Sequence, residues 1–310
     1  MTTPVSSILL FAAGLVLLVI GSNLFVDTAI RLAHRLRLPE MLIGATLVSF
    51  GTTLPEVIFS TTAAVHGYGE MSLGNGIGSV ICNTALIAGV VQTISPSKIN
   101  RKMFCASSVR FFLYASLLCI MAWQLKGVPR WCGLLLLALC VLYTVQSLRR
   151  SAGEPENHAL PERGSIPLDL LLLLLQGGFL YAGAHLLVAH GPVLARLMGV
   201  PERVISLSLV ALGTSLPELV TSVSALAKGH ASLSLGNILG ANILNILLVI
   251  GLSGTVAPLY FTQTATRVDL PVMMLVMVIL CVPGIIKGKM MRWQGFALLA
   301  VYVGYLVFLF

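Results

Sequence analysis

Residues 51–56, GTTLPE, lie between the apolar runs MLIGATLVSF (41–50) and VIFSTTAAV (57–65), and at 213–218 the chain returns to the same phrase as GTSLPE. At that offset of 162 residues LGNGIGSVICN (73–83) falls on LGNILGANILN (235–245) and Pro96 on Pro258. Residues 44–96 match 206–258 at 21 of 53 positions without a gap. The register extends upstream, with Gly21 on Gly183, Leu24 on Leu186, and Pro39-Glu40 on Pro201-Glu202. Shared apolar composition would give scattered Leu and Val matches. It would not keep a Pro-Glu, paired glycines and paired asparagines in phase, so the chain contains an internal repeat.

The repeat sits in a membrane protein. Of 310 residues, 57% are hydrophobic and 10% charged, where a soluble domain carries about 25% charged. Mean hydropathy is +0.97. Ten apolar runs approach or exceed the roughly 20 residues that span a bilayer. They lie near 8–30, 41–65, 71–95, 104–125, 131–148, 166–190, 203–227, 231–256, 269–287 and 293–310. The first has no basic flank on its N-terminal side and is longer than a signal-peptide core, so it reads as a span with the N-terminus outside. On that topology 14 of the 19 Lys and Arg lie on the cytoplasmic side. The net charge of +8 therefore reports orientation and not a nucleic-acid partner. The six cysteines lie in or beside spans without a CxxC pair and read as reduced packing residues.

Each repeat holds five spans, residues 1–148 and 166–310, joined by the polar stretch 149–165 on the cytoplasmic side. Five is odd, so the second repeat enters the membrane from the opposite face and both termini lie outside. The predicted architecture is all-α and membrane-embedded: ten helices in two inverted repeats, a construction that secondary transporters use with substrate sites at the midplane.

Glu56 and Glu218 are the two acidic residues that the spans place near mid-bilayer. An ionised carboxylate there costs roughly 2.5–3.5 kcal/mol on insertion scales, which points to a function for the pair. Asp27, near the inner end of the first span, is expected to pair with Arg31 one turn on. Pro55 and Pro217 deny a donor to the carbonyls of Gly51 and Gly213, so the second and seventh spans should break there. Freed carbonyls at that depth must face protein or a cavity. Two bidentate carboxylates, freed carbonyls and a hydroxyl or water make the six to eight oxygen ligands of calcium. No His or Cys accompanies them, which argues against zinc or copper. On the following spans, Ser79 and Asn83 share one helix face beside Gly74 and Gly78, and Ala241 and Asn245 are their repeat partners. We read Asn83 and Asn245 as ligands, Asn75 and Asn237 as structural. His185, on Asn23 in the repeat, could line a cavity, although a lone histidine near an interface is more often structural. Met273, Met274 and Met277 read as core or lipid contacts.

The doubled GT(T/S)LPE motif, each followed by GN-x-x-G and a polar residue on the next helix, resembles the paired repeats of the sodium/calcium exchanger family, within the calcium:cation antiporter superfamily. The resemblance covers all ten spans and suggests a compact, prokaryotic-type member, since 149–165 is too short for the family's calcium-sensing domains. It implies that Glu56 and Glu218 are central calcium ligands with the carbonyls of Thr52 and Thr214 beside them. Hydroxyls of Thr53 and Ser215, carbonyls of Ser49 and Ala211, and the side chains of Ser79, Asn83 and Asn245 would shape sodium sites. The second, third, seventh and eighth spans would form the core, across which the first and sixth slide. The chain departs from the pattern at Thr53, where Ser is common, and at Ser49, where Ala is common. Ala241 replaces a Ser and Asn245 stands where some members carry an acid, which leaves the number of sodium sites open.

The expected activity is calcium extrusion in exchange for sodium by alternating access, in the plasma membrane. The expected partners are Ca2+, Na+ and the lipid bilayer. No enzymatic activity, resident cofactor, nucleic acid or obligatory protein partner is expected. Proton- or potassium-coupled exchange within the superfamily is the alternative. An intramembrane hydrolase using the two glutamates as acid and base lacks an HExxH motif or Asp pair. A passive channel would show flux without a counter-ion.

Overall fold

The computed structural model describes residues 4–96, 99–151, 165–197 and 213–309. The first half of the seventh expected span, most of the 149–165 linker and Ala211 lie outside them. The described chain is helical throughout its apolar runs. We number the helices α1 (Pro4–Leu36), α2 (Glu40–Thr52), α3 (Leu54–Val65), α4 (Gly69–Ile94), α5 (Arg101–Leu125), α6 (Arg130–Ser151), α7 (Ile166–Leu197), α8 (Leu216–Ala227), α9 (Ala231–Val256), α10 (Ala265–Lys287) and α11 (Arg292–Leu309). Eight are long and apolar enough to cross a membrane singly, and α2 with α3 forms a ninth span bent by 46°. The helix α8 begins after a turn at Ser215, so among the described residues both GT(T/S)LPE motifs mark a helix break.

Loops that the ten-span topology sends to one face do meet there. On the basic face Arg35 Nε donates to Asp169 at 2.9 Å, Lys228 Nζ to Asp27 at 2.6 Å, and the backbone N–H of Ile99 to Gly288. His230 Nδ1 and Glu40 bond there at 2.7 Å. On the opposite face two short strands, β1 (Gly127–Val128) and β2 (Leu259–Tyr260), pair antiparallel, Gly127 opposite Tyr260. One expectation fails. Asp27 bonds Lys228, at the end of α8, and Arg31 turns to Asp169 at 3.5 Å and to Thr28. The i,i+4 pair gives way because two partners from other helices lie within reach.

The helices fall into two bodies. The buried core holds α4 and α9, flanked by α5, α6, α10 and α11, around residues such as Ile77, Ile81, Ile243, Met277 and Tyr143. Outside it, α1 and α7 pack against one another along their length. They run to 33 and 32 residues, about 50 Å at 1.5 Å per residue. That exceeds the roughly 30 Å hydrocarbon layer, so each of the pair is long enough to span it at a tilt. The repeated glycines set the crossing: a methyl on Gly21 would press on Phe179, and one on Gly183 on the backbone of Leu18 and Gly14. Small residues give backbones this proximity where lipid supplies no hydrophobic drive for association. In the core, a methyl on Gly236 would collide with the Met41 backbone, and one on Gly240 with Ala45 and Ser49. The helix α2 is thereby held against α9.

Free cysteines account for all six thiols. Met273 and Met277 are buried core residues, and Met277 Sδ accepts from Thr84 and Asn242.

Candidate functional site

The two breaks carry Glu56 and Glu218 to one place. Each glutamate sits in the first turn of its half-helix, α3 or α8, one residue past a proline that tolerates that position. A helix N-terminus presents unpaired N–H groups and a partial positive charge, which favours the carboxylate there. Both glutamates are fully buried. Each carboxyl lies beside groups of the other repeat. Thr53 Oγ1 donates to Glu218 Oε1 at 3.4 Å, while the Ser215 and Ser79 hydroxyls and the Glu218 charge flank Glu56. Thr53 and Ser215 are themselves repeat partners, so the contacts are exchanged between halves.

The same exchange recurs in the next shell outward. Thr52 Oγ1 donates to Asn237 Oδ1 at 3.3 Å, and Thr214 Oγ1 to Asn75 Oδ1 at 3.2 Å. Asn237 Nδ2 then donates to Ser222 Oγ at 3.2 Å, and Asn75 Nδ2 to Ser60 Oγ at 2.9 Å. Every residue in one chain of bonds is the 162-residue partner of one in the other. A two-fold relation between the halves produces this swap. The half-helix α3 packs on residues Asn245–Ile250 of α9, and α8 on Cys82–Ala88 of α4, again as a swap. Both of those segments are π-helical, widened turns of the kind that recurs at functional sites.

Within this enclosure many polar atoms lack a bonding partner. Both oxygens of Glu56, Oε2 of Glu218, the hydroxyls of Ser79 and Ser215, and both side-chain atoms of Asn83 and of Asn245 are buried and unpartnered among the described residues. Buried polar groups are otherwise hydrogen-bonded in about nine cases of ten, and each orphan calls for an explanation. Here seven of the nine orphaned atoms are oxygens, with two carboxylates among them, and the Glu56–Glu218 and Asn83–Asn245 pairs repeat in register. That donor set suits a hard cation bound through oxygen. Asn75 and Asn237 differ from Asn83 and Asn245 in having both ends bonded, so they clamp the breaks.

Not every expected ligand is free. The Ser49 carbonyl accepts from Thr53 N–H at 2.9 Å and Thr52 Oγ1 at 3.4 Å, and Ser49 Oγ donates to the Thr46 carbonyl at 2.9 Å. Of the two expected hydroxyls, that of Thr53 donates to Glu218 Oε1 at 3.4 Å, whereas that of Ser215 is unpartnered among the described residues. Thr52 and Thr214 enter the next shell through their hydroxyls, bonded to Asn237 and Asn75, while Ala211 lies outside the described residues.

A cavity of about 540 Å3 descends between α3 and α7 from the face opposite the basic one, reaching Pro55, Gly213 and Thr214 at its floor. The repeat-related path on the basic face is packed shut. Val26, Ala225 and Leu233 are buried there, whereas their partners Val188, Ala63 and Met71 line the cavity. Among the described residues this cavity opens to the face opposite the basic one, and its repeat-related counterpart is filled. His185 lies in this cavity wall, stacked on Tyr181.

The comparisons with known proteins agree with this geometry. The family model described as "Sodium/calcium exchanger protein" matches residues 6–149 and 168–310. The sodium/calcium exchanger MaX1 of Methanosarcina acetivorans is 32% identical over 97% of this chain and 98% of its own length. The inner membrane protein YrbG of Escherichia coli is 31% identical over 87% of this chain and 86% of its own. The sodium-calcium exchanger NCX_Mj, in a structure soaked with 10 mM Na+ and no Ca2+, superposes with a TM-score of 0.85 at 28% identity, covering 98% of this chain and 99% of that one. With its two swapped motifs enclosing one oxygen-lined site, this multi-pass membrane protein belongs to the sodium/calcium exchanger family of cation antiporters.

Proposed function

We propose that the chain extrudes Ca2+ in exchange for Na+ across the plasma membrane, with its basic face toward the cytoplasm and both termini outside. The observation that carries this reading is the pair of buried glutamates surrounded by orphaned oxygens. Glu56 and Glu218 would bind Ca2+ between them. The Thr52 and Thr214 carbonyls, Thr53 and Ser215 hydroxyls, Ser79, Asn83 and Asn245 would complete that sphere or take Na+, with the Ser49 and Ala211 carbonyls at its edge. The protein acts as a carrier and not as an enzyme, and holds no resident cofactor.

Exchange follows from charge. Two carboxylates in a low-dielectric enclosure repel each other strongly and are costly to desolvate. A closed state with both ionised becomes accessible only when cations neutralise them. One Ca2+ supplies two charges, and two or more Na+ supply at least as many. If both loads use the same oxygens, the site crosses with one and returns with the other. Movement of α1 and α7 across the core would expose the site to each face in turn.

The test is calcium-45 uptake by proteoliposomes loaded with Na+ and diluted into Na+-free medium. Uptake should require the Na+ gradient and should vanish in Glu56→Gln and Glu218→Gln. Uptake driven by a pH gradient without Na+, or requiring K+, would replace Na+ coupling with the superfamily alternatives. Flux without any counter-ion would indicate a channel.

A further inference from the structure

The two-fold relation breaks down where α1 and α7 meet α8 and α3. On the basic face, Ser224 Oγ donates to Asn23 Oδ1 at 2.6 Å. Lys228 Nζ donates to the Asn23 carbonyl at 2.8 Å and to Asp27 at 2.6 Å. These bonds latch α8 to α1 over the packed path. At the 162-residue offset, Ser224 corresponds to Thr62, Lys228 to His66, Asn23 to His185 and Asp27 to Ala189. Thr62, His66 and His185 all line the open cavity. On the open side, the positions equivalent to the latch's ammonium and amide therefore carry two imidazoles.

We propose that His66 and His185 form a site for a divalent transition-metal ion across the mouth of this cavity, completed when the mouth closes. The inference rests on alternating access, because only closure brings α3 against α7 as α8 now lies against α1. Three features support it. In the closed latch, Lys228 reaches the backbone carbonyl of residue 23 and Ser224 its side chain, so the equivalent residues 66 and 62 come within a helical turn of residue 185 in the opposite state. An imidazole is shorter than a lysine side chain, and a bridging metal, with about 2 Å to each nitrogen, makes up the difference. His66 Nδ1 lies 2.8 Å from the Thr62 carbonyl. A carbonyl only accepts, so the proton is on Nδ1 and the Nε2 lone pair is free; bonding of this kind orients metal-ligating histidines. Stacking on Tyr181, with ring centroids 6.1 Å apart, restrains the plane of His185. Imidazole nitrogens select Zn2+ or Ni2+ over Ca2+, so such an ion binds apart from the oxygen site and holds the mouth shut.

The experiment uses the full-length protein and Zn2+. In proteoliposomes, micromolar Zn2+ should slow calcium-45 exchange without changing half-saturation by Ca2+. His66→Ala and His185→Ala should each raise the half-inhibiting Zn2+ concentration at least tenfold, relative to that variant's own uninhibited rate. His230→Ala, which removes the other imidazole cluster near Glu40 on the basic face, should leave inhibition as it was. Inhibition that competes with Ca2+, survives both mouth substitutions, disappears in His230→Ala, or never occurs overturns the site. Calorimetric Zn2+ binding to the same variants in detergent reads the site without transport. Binding that depends on both mouth histidines in a protein that fails to exchange would remove the proposed function and keep the site. Exchange with no such binding would remove the site alone.

Discussion

Replacing Asn237 by alanine removes a side chain that is 1% exposed and bonded at both ends, to Thr52 of the other repeat and to Ser222 of its own. Two buried hydroxyls lose their partner. In a soluble core each would cost roughly 1–3 kcal/mol. Interhelical hydrogen bonds measured within a membrane average about 0.6 kcal/mol and reach about 1.7. Thr52 Oγ1 also keeps a long bond to the Ser49 carbonyl at 3.4 Å, so the lower scale is the better guide. The expected total is about 1–3 kcal/mol. Its distribution matters more than its size. Thr52 adjoins the break that carries Thr53 and Glu56, and any part of the loss felt by the ion-loaded site alone weakens binding. One kcal/mol there raises Ca2+ half-saturation about fivefold. The assay is Na+-driven calcium-45 uptake against Ca2+ concentration, with thermal unfolding of the same preparations. A double-mutant cycle with Thr52→Val should return a coupling of about 0.5–1.5 kcal/mol, and the cycle Asn75→Ala with Thr214→Val should match it. If Asn237→Ala binds Ca2+ and melts like the wild type, or if the two cycles differ in sign, the crossed clamps do not hold the site.

Gly236→Ala should lower the unfolding temperature sharply, because overpacking a helix contact costs about 1–3 kcal/mol and its methyl meets the Met41 backbone. Gly178→Ala, with nothing within 4 Å, is the control that should not. Asp27→Asn weakens a latch whose two side chains are 51% and 27% exposed, so its effect should be under about 1 kcal/mol. That should appear as a few-fold rise in labelling of an introduced Ser222→Cys thiol by an impermeant reagent from the basic face. Asn245→Asp adds a third carboxylate among the orphaned oxygens. Ca2+ alone then leaves the site negative, so uptake should depend more steeply on pH than in the wild type, read from matched pH profiles.

The spans, the repeat and the central glutamates were legible because each rests on a pattern carried by the chain itself. Apolar run length reports the bilayer, and a proline before each glutamate reports a break. What stayed hidden depends on partners distant in sequence. Asp27 was assigned to Arg31 by helical spacing, yet Lys228 lies 201 residues away and nearer in space. The π-helical turns at Cys82–Ala88 and Asn245–Ile250 carry no proline, and their composition is that of any buried span. The crossed clamps could have been foreseen. Once Thr52, Asn75, Thr214 and Asn237 were seen to repeat in phase, a two-fold relation allowed each threonine a partner in the opposite half.

Identity between the halves marks the proposed ion site, and difference between them marks the proposed gates. An oxygen cage that must release the same ions to both faces has reason to be built from matched pairs. Thr52 with Thr214, Glu56 with Glu218, and Asn83 with Asn245 are such pairs. A gate meets only one solution and need not match its counterpart. The basic face is closed by Asp27 and Lys228, an ion pair that salt and water screen. The other mouth offers His66 and His185 at corresponding heights, and Ala189 where a carboxylate would stand. A largely matched site between unlike gates would give the two half-cycles different barriers. Direction of net transport is then set by the ion gradients, and the gates set how fast each face is served.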